Sequence, residues 1–178
     1  TIDAVEVDEQ AYEQSVENFE KSPWADRLFC YNATFQDFVL EMEEEEETYD
    51  VIVSNPPFYS DAFETTDAAR NKARFTSALS FESLLQGVSK LLSEQGCFSV
   101  IIPFKEEASF VNLAAKELLF LQKVCRVKGT ASSEIKRSLL TFSFVNNKVV
   151  EEELVIEIAR HQYTEDYINL TKDFYLKM

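Results

Sequence analysis

Apolar residues along this chain fall into short runs whose spacing alternates between strand-like and helix-like. Ile2–Val7 reads as a short strand. From Gln10 to Glu20 the residues Tyr12, Val16 and Phe19 share one helical face. Leu28–Tyr31 is the next strand-like run, and Phe35–Glu41 a short helix or turn. Tyr49–Ser54 is a further strand, and the polar stretch Tyr59–Thr76 reads as a long loop. Phe81, Leu84, Leu85, Val88, Leu91 and Leu92 make the strongest amphipathic helix, expected to end at Gly96. Cys97–Pro103 then reads as a buried strand, Glu106–Leu118 as a helix and Leu121–Lys128 as a strand. Leu139–Val145 is expected to pair with that strand as the last of the core. Leu154–Ile158 adds a strand, and Thr164–Lys172 a terminal helix capped by Thr164. Strands alternating with helices predict an α/β fold, and no internal repeat appears.

The strand Tyr49–Ser54 runs into Asn55-Pro56-Pro57-Phe58. Two prolines fix φ, remove two backbone donors and keep the residue before them out of the helical region. A stiff loop, an amide side chain, free carbonyls and an aromatic face therefore meet at a strand's carboxyl end. A delocalised amine on a planar ring is a poor nucleophile. The Asn55 side-chain oxygen and the Pro56 carbonyl can accept its two hydrogens, and Phe58 can stack on the ring. Without that chemistry the same residues would form a proline-rich turn with Asn55 as turn former.

Asn55-Pro56-Pro57-Phe58 after a strand resembles motif IV of the class I S-adenosylmethionine-dependent amino-methyltransferases. Ile2-Asp3-Ala4-Val5-Glu6-Val7-Asp8 resembles their motif II, a second strand ending in an acidic residue. Three further stretches are similar to the bacterial valine-tRNA (adenine-N6)-methyltransferases. They are Glu13 through Pro23-Trp24-Ala25-Asp26-Arg27, then Ala69 to Thr76, then the tail Tyr167 to Leu176. The resemblance implies a Rossmann-like α/β sheet with helices on both faces and S-adenosyl-L-methionine as cofactor. It also implies methyl transfer to the N6 amine of an adenine in tRNA. Methylation of an rRNA guanine or a protein glutamine shares the tetrad, and a non-catalytic methyltransferase-like interaction module is a reading of another class.

The resemblance also assigns residues. Glu6, with Val7 beside it at the strand end, is the candidate for the two ribose hydroxyls of the cofactor. The family's acidic position after the third strand falls at Thr34, with Phe35 placed to flank the adenine ring. Asp37 is either a substitute carboxylate or a helix-starting aspartate. The chain holds only Gly87, Gly96 and Gly129, so the Gly-x-Gly turn that follows the family's first strand is missing. Residues 1–178 are thus expected to form one methyltransferase domain lacking its first strand, with a gap between two unpaired edges.

Composition narrows the partners. With 178 residues and 46% hydrophobic content, one globular domain has an adequate core. No run approaches the roughly 18 apolar residues of a membrane span, and no signal peptide is visible. Cys30, Cys97 and Cys125 lie in apolar runs without metal-type spacing, which fits reduced thiols in a cytoplasmic protein and no metal. The single histidine, His161, reads as structural or surface. Seventeen Lys+Arg against 32 Asp+Glu give a net charge of −15, so binding tRNA requires local basic patches. Glu43–Glu47 reads as a solvated acidic loop. Arg70, Lys72 and Arg74 follow the tetrad and would rim the site, and Lys123, Arg126, Lys128, Lys136 and Arg137 form a second group. The chain is expected to act as a monomer.

Overall fold

The structure, a computed structural model, describes residues 1–56 and 79–175. Strand β1 (Ile2–Glu6) pairs in parallel with β2 (Leu28–Asn32), Ile2 opposite Leu28 and Glu6 opposite Asn32. Helix α1 (Glu9–Glu20) joins them and starts at Asp8, whose carboxylate accepts from the Ala11 amide at 2.9 Å. Helix α2 (Phe35–Glu44) carries the chain from the end of β2 to β3 (Tyr49–Ser54). It extends three residues past the expected Glu41, because Met42 continues the buried face begun by Phe38 and Val39.

A second ladder contains β3, β4 (Leu92–Pro103), β5 (Phe120–Thr130), β6 (Ile135–Ser143), β7 (Val150–Ala159) and β8 (Gln162–Tyr163). Their order is β3-β4-β6-β5-β7-β8. β3, β4, β5 and β7 run the same way, with β6 and β8 opposed. The expected pairing of β6 with β5 is present, but β6 is no edge of the core. It lies between β4 and β5, as its buried Ser138, Leu140 and Phe142 require.

Helix α3 (Phe81–Leu91) ends five residues before Gly96, the expected stop. Leu92 is already extended and pairs with Tyr49. Gly96 has no positive φ and serves instead for close approach, since a Cβ there would lie 2.8 Å from Leu92 Cδ1. Helix α4 (Glu107–Lys116) follows a single 3₁₀ turn, Phe104–Glu106, and stops before Leu118, whose φ of 59° no helix accepts. The last helix, α5 (Glu165–Thr171), starts at Thr164, whose Oγ1 accepts from the Tyr167 amide at 3.2 Å.

The main core packs α3 and α4 onto one face of the second ladder. Leu85, Val88, Phe98, Ile102, Phe110 and Phe142 are fully buried there. Phe81 meets Phe110 edge-on at 4.9 Å and 82°. Each such side chain contributes about 1.5–3 kcal/mol of transfer free energy. A second cluster of Phe38, Val39, Met42 and Leu91, with Val5, Tyr31 and Ile52 against it, joins the two ladders through side chains. Among the described residues no strand pairs with the second edge of β1 or of β3. Between them lies a cavity of about 790 Å³ lined by Asp3, Tyr31, Tyr49, Val51 and Val53 among others. Val51 and Val53, on the open edge strand, are 60% and 75% exposed.

Candidate functional site

The predicted residues that the structure describes stand at or just beyond the carboxyl ends of β1, β2 and β3. Glu6 closes β1, half-buried, and its Oε1 accepts from the Asp8 amide at 2.9 Å. Its second oxygen has no hydrogen-bond partner among the described residues and is available to a ligand. Val7 follows, 55% exposed. Asn32, the register partner of Glu6, donates from Nδ2 to the Glu6 carbonyl at 3.0 Å and ties the two strand ends together. No spacing in the sequence marks Asn32; only the register reveals its place.

Thr34 is the N-cap of α2. Its hydroxyl accepts from the Asp37 amide at 3.1 Å and donates to Asp37 Oδ2 at 2.7 Å. The pair holds the helix start, and the Thr34 hydrogen is already committed. Phe35 is half-buried and packs against both core clusters. Its ring occupies the space that a side chain at Gly87 would fill.

β3 delivers Asn55, exposed, and Pro56, buried, beyond its last residue Ser54. By register Ser54 lies opposite Val100, so Asn55 and Pro56 run beside the end of β4. Pro57, Phe58, Arg70, Lys72 and Arg74 lie outside the described residues. The large cavity runs along the start of β1 and along β3 as far as Val53 and does not include Asn55.

Two residues that sequence reasoning did not single out stand at the other, amino ends of β1 and β3. Tyr49 donates its hydroxyl to Asp3 Oδ2 at 2.7 Å. Burial first, then the bond to Asp3 and its charge, push the Tyr49 phenol well above its ordinary range. Cys30 lies next to this site, and burial followed by the Glu6 charge pushes its thiol up, which leaves it protonated and a poor nucleophile. All three cysteines are unpaired. His161 is exposed in the turn after β7 with φ of 62°. Among the described residues no group of three metal-ligating side chains occurs, and no helix is long and apolar enough to cross a membrane.

The late basic residues fall into two groups. Lys123 and Lys128 each lie 2.8 Å from a carboxylate of β7, Glu152 and Glu153. Arg126 holds Glu107 through Nε and Nη2 and Glu151 through Nη1 at 2.8 Å. Lys136 and Arg137 are exposed at the start of β6.

Comparison with known proteins gives close relatives. The chain is 58% identical over 180 residues to a tRNA1(Val) (adenine(37)-N6)-methyltransferase of Flavobacterium johnsoniae, covering 99% of this chain and 74% of the relative. It is 55% identical over 177 residues to the protein of the same name in Christiangramia forsetii, covering 99% and 73%. The Bacteroides fragilis protein of that name is 40% identical over 179 residues, covering 100% and 74%. No protein-family model matches. Among solved structures, a predicted O-methyltransferase of Agrobacterium tumefaciens superposes with a TM-score of 0.69 at 14% identity, covering 96% of this chain and 76% of that one. A methyltransferase of Pyrococcus furiosus gives 0.51 at 22%, covering 82% and 64%. These two likenesses establish the class I methyltransferase fold.

Proposed function

This chain belongs to the family of the tRNA1(Val) (adenine(37)-N6)-methyltransferases, and we propose that it methylates the N6 amine of the adenine next to the anticodon of valine tRNA. The observation that supports this reading is that Glu6, Phe35 and Asn55-Pro56 stand at or just beyond the carboxyl ends of β1, β2 and β3. A nucleoside-containing methyl donor and a planar amine need those groups together.

S-adenosyl-L-methionine, when bound, supplies a methyl group on a positively charged sulfur. The strand ends fit it. Glu6 has a carboxylate oxygen free for ribose hydroxyls, and a charged acceptor makes stronger bonds than a neutral one. Val7 and the half-buried Phe35 ring offer apolar walls for an adenine. Thr34 retains acceptor capacity on its oxygen after its two bonds to Asp37.

Asn55 acts on the substrate amine. Its side-chain oxygen accepts one amine hydrogen and the Pro56 carbonyl accepts the other. Electron density then concentrates on nitrogen, and the nitrogen turns toward tetrahedral geometry. Both acceptors also stabilise the positive charge that develops on nitrogen, and the surplus proton leaves to water. From the sequence alone, Pro57 and Phe58 belong to the same proposed tetrad, and Arg70, Lys72 and Arg74 are the proposed phosphate contacts. The target adenine is loop-borne or unstacked, because its amine must enter a pocket. The protein works as a monomer in the cytoplasm, where its tRNA resides.

The test is direct. The purified protein is incubated with S-adenosyl-L-methionine and valine tRNA transcript, and the digested nucleosides are separated. N6-methyladenosine is expected from the native transcript and none from one carrying guanine at position 37. Methyl incorporation into both transcripts, or into neither, overturns the reading.

A further inference from the structure

β1 and β2 part at their carboxyl ends. Glu6 opposite Asn32 is the last pair of their ladder. Two residues further on, each chain has become the cap of its own helix, Asp8 for α1 and Thr34 for α2. The fork between them opens outside the carboxyl ends of the strands, where open α/β sheets bind their ligands. The last pair of a ladder has no pair beyond it. A ligand group seated there needs a further restraint to keep its geometry.

Glu6 has two such restraints. Its Oε1 accepts from the Asp8 amide at 2.9 Å, and Asp8 is itself fixed by accepting from the Ala11 amide at 2.9 Å. Its carbonyl accepts from Asn32 Nδ2 at 3.0 Å, across the fork. Among the described residues no other side-chain hydrogen bond joins β1 to β2. Asparagine is a poor strand former, so its place in a ladder pair runs against local propensity. Its amide does not close a turn of its own either, since the bond reaches a residue 26 positions away. A local rule broken in favour of one long-range bond marks a place where geometry matters.

We propose that Asn32 is a positioning residue for the cofactor: by anchoring the Glu6 main chain it aims the Glu6 carboxylate at the ribose hydroxyls. This rests on the reading of Glu6 as the ribose acceptor. Two hydroxyls on one sugar ring fix their acceptor in both distance and direction, and a site of this kind tolerates about 0.5 Å of play. The Asp8 amide fixes the carboxylate and Asn32 fixes the backbone that carries it. Without Asn32 the end of β1 is free to swing together with Val7, which is 55% exposed. The carboxylate then keeps its bond to Asp8 but loses its aim. Asn55 follows β3 in the other ladder, so the acceptors for the target amine do not depend on this bond.

The test measures, by calorimetry, binding of S-adenosylhomocysteine and of its analogue lacking both ribose hydroxyls. Wild type is compared with N32A, N32D, E6A and E6A/N32A. Both Asn32 variants lose the donor, and N32D keeps the shape. One net hydrogen bond is modest, so each should weaken S-adenosylhomocysteine binding about three- to tenfold. Affinity for the analogue should stay at the wild-type value, because the carboxylate has nothing to meet there. In the E6A background N32A should cost nothing more, since its effect passes through the carboxylate. In steady-state methylation of valine tRNA the KM for S-adenosyl-L-methionine should rise by the same factor while kcat holds. Wild-type affinity for S-adenosylhomocysteine in both N32A and N32D overturns the proposal. Equal losses on both ligands overturn it too, because the role would then be structural or a direct contact. So does an N32A cost that persists in full beside E6A. If E6A loses affinity and N32A does not, Asn32 falls and the ribose role of Glu6 stands. If E6A itself binds as wild type, the ribose role falls and Asn32 with it.

Discussion

The Tyr49 hydroxyl donates to Asp3 Oδ2 at 2.7 Å and so joins the first residue of β3 to the second of β1, across a gap that no backbone ladder closes among the described residues. Asp3 Oδ1 is buried without a hydrogen-bond partner among the described residues. Tyr49→Phe leaves the whole carboxylate without a donor there, and an unsatisfied buried group costs about 1–3 kcal/mol. Urea unfolding should show a loss of that size. The raised phenol pKa adds a pH signature. Above about pH 10 the unfolded chain ionises Tyr49 while the folded chain does not, so stability falls as pH rises, and the Phe variant should show a shallower fall.

Glu107 is the hub of a second polar network. It is 14% exposed in its side chain, receives the Arg126 guanidinium, and accepts from the buried Ser138 hydroxyl at 2.5 Å. Burial alone would raise its pKa, but the bonds from Arg126 and Ser138 outweigh it and hold the carboxyl below the ordinary range. A depressed folded pKa means that the unfolded state binds the proton first. The stabilisation is therefore complete above the usual carboxylate pKa of about 4.3 and is lost as pH falls below it. Glu107→Gln should cost about 1.5–3 kcal/mol at neutral pH and flatten the acid limb of a stability–pH curve.

Gly87 is a packing device for the site. In an exposed helix interior, Gly→Ala would stabilise by about 1 kcal/mol. Here the new Cβ would lie 2.8 Å from Val39 Cγ2 and 2.9 Å from Phe35 Cζ. Gly87→Ala should lower stability in spite of helix propensity, and should displace Phe35. Thermal melts together with calorimetry of S-adenosylhomocysteine would register both effects, and a gain in stability would show that Phe35 yields freely.

Glu6→Gln keeps the acceptor for the Asp8 amide but removes the charge offered to a ribose. Hydrogen bonds to charged groups contribute about 1.5–3 kcal/mol, so affinity for S-adenosylhomocysteine should fall roughly tenfold or more. Calorimetry on the variant checks this, and an unchanged dissociation constant would remove Glu6 from the ribose site.

Much of this was legible from the chain itself. Periodicity placed β1 and β3 to within a residue and the buried face of α3, because Val5, Ile52 and Leu85 had to face a core. The N-cap Thr164 followed from side-chain chemistry, whereas Asp8 as the cap of α1 was not anticipated. What local patterns missed depends on pairing between distant segments. The insertion of β6 between β4 and β5 and the length of β7 are set by register, not by periodicity. Helix α3 passes into β4 without a glycine stop because Leu92 gains a partner in Tyr49. The same is true of the site. Glu6, Thr34 and Asn55 were expected at or beyond strand ends and lie there, but the places of Asn32 and Asp3 became visible only opposite their partners. Lys123, Lys128 and Arg126 looked available for RNA until the parallel pairing of β5 and β7 set glutamates beside them.

The account turns on Asn55 acting on the target amine, and single-turnover methyl transfer to valine tRNA tests that most directly. With enzyme in excess and cofactor saturating, Asn55→Ala should lower the rate of N6-methyladenosine formation by about 10²-fold or more, the usual cost of removing one oriented polar group from a reacting centre. Affinity for S-adenosylhomocysteine should change far less. A variant that transfers the methyl group at the wild-type rate would contradict the account.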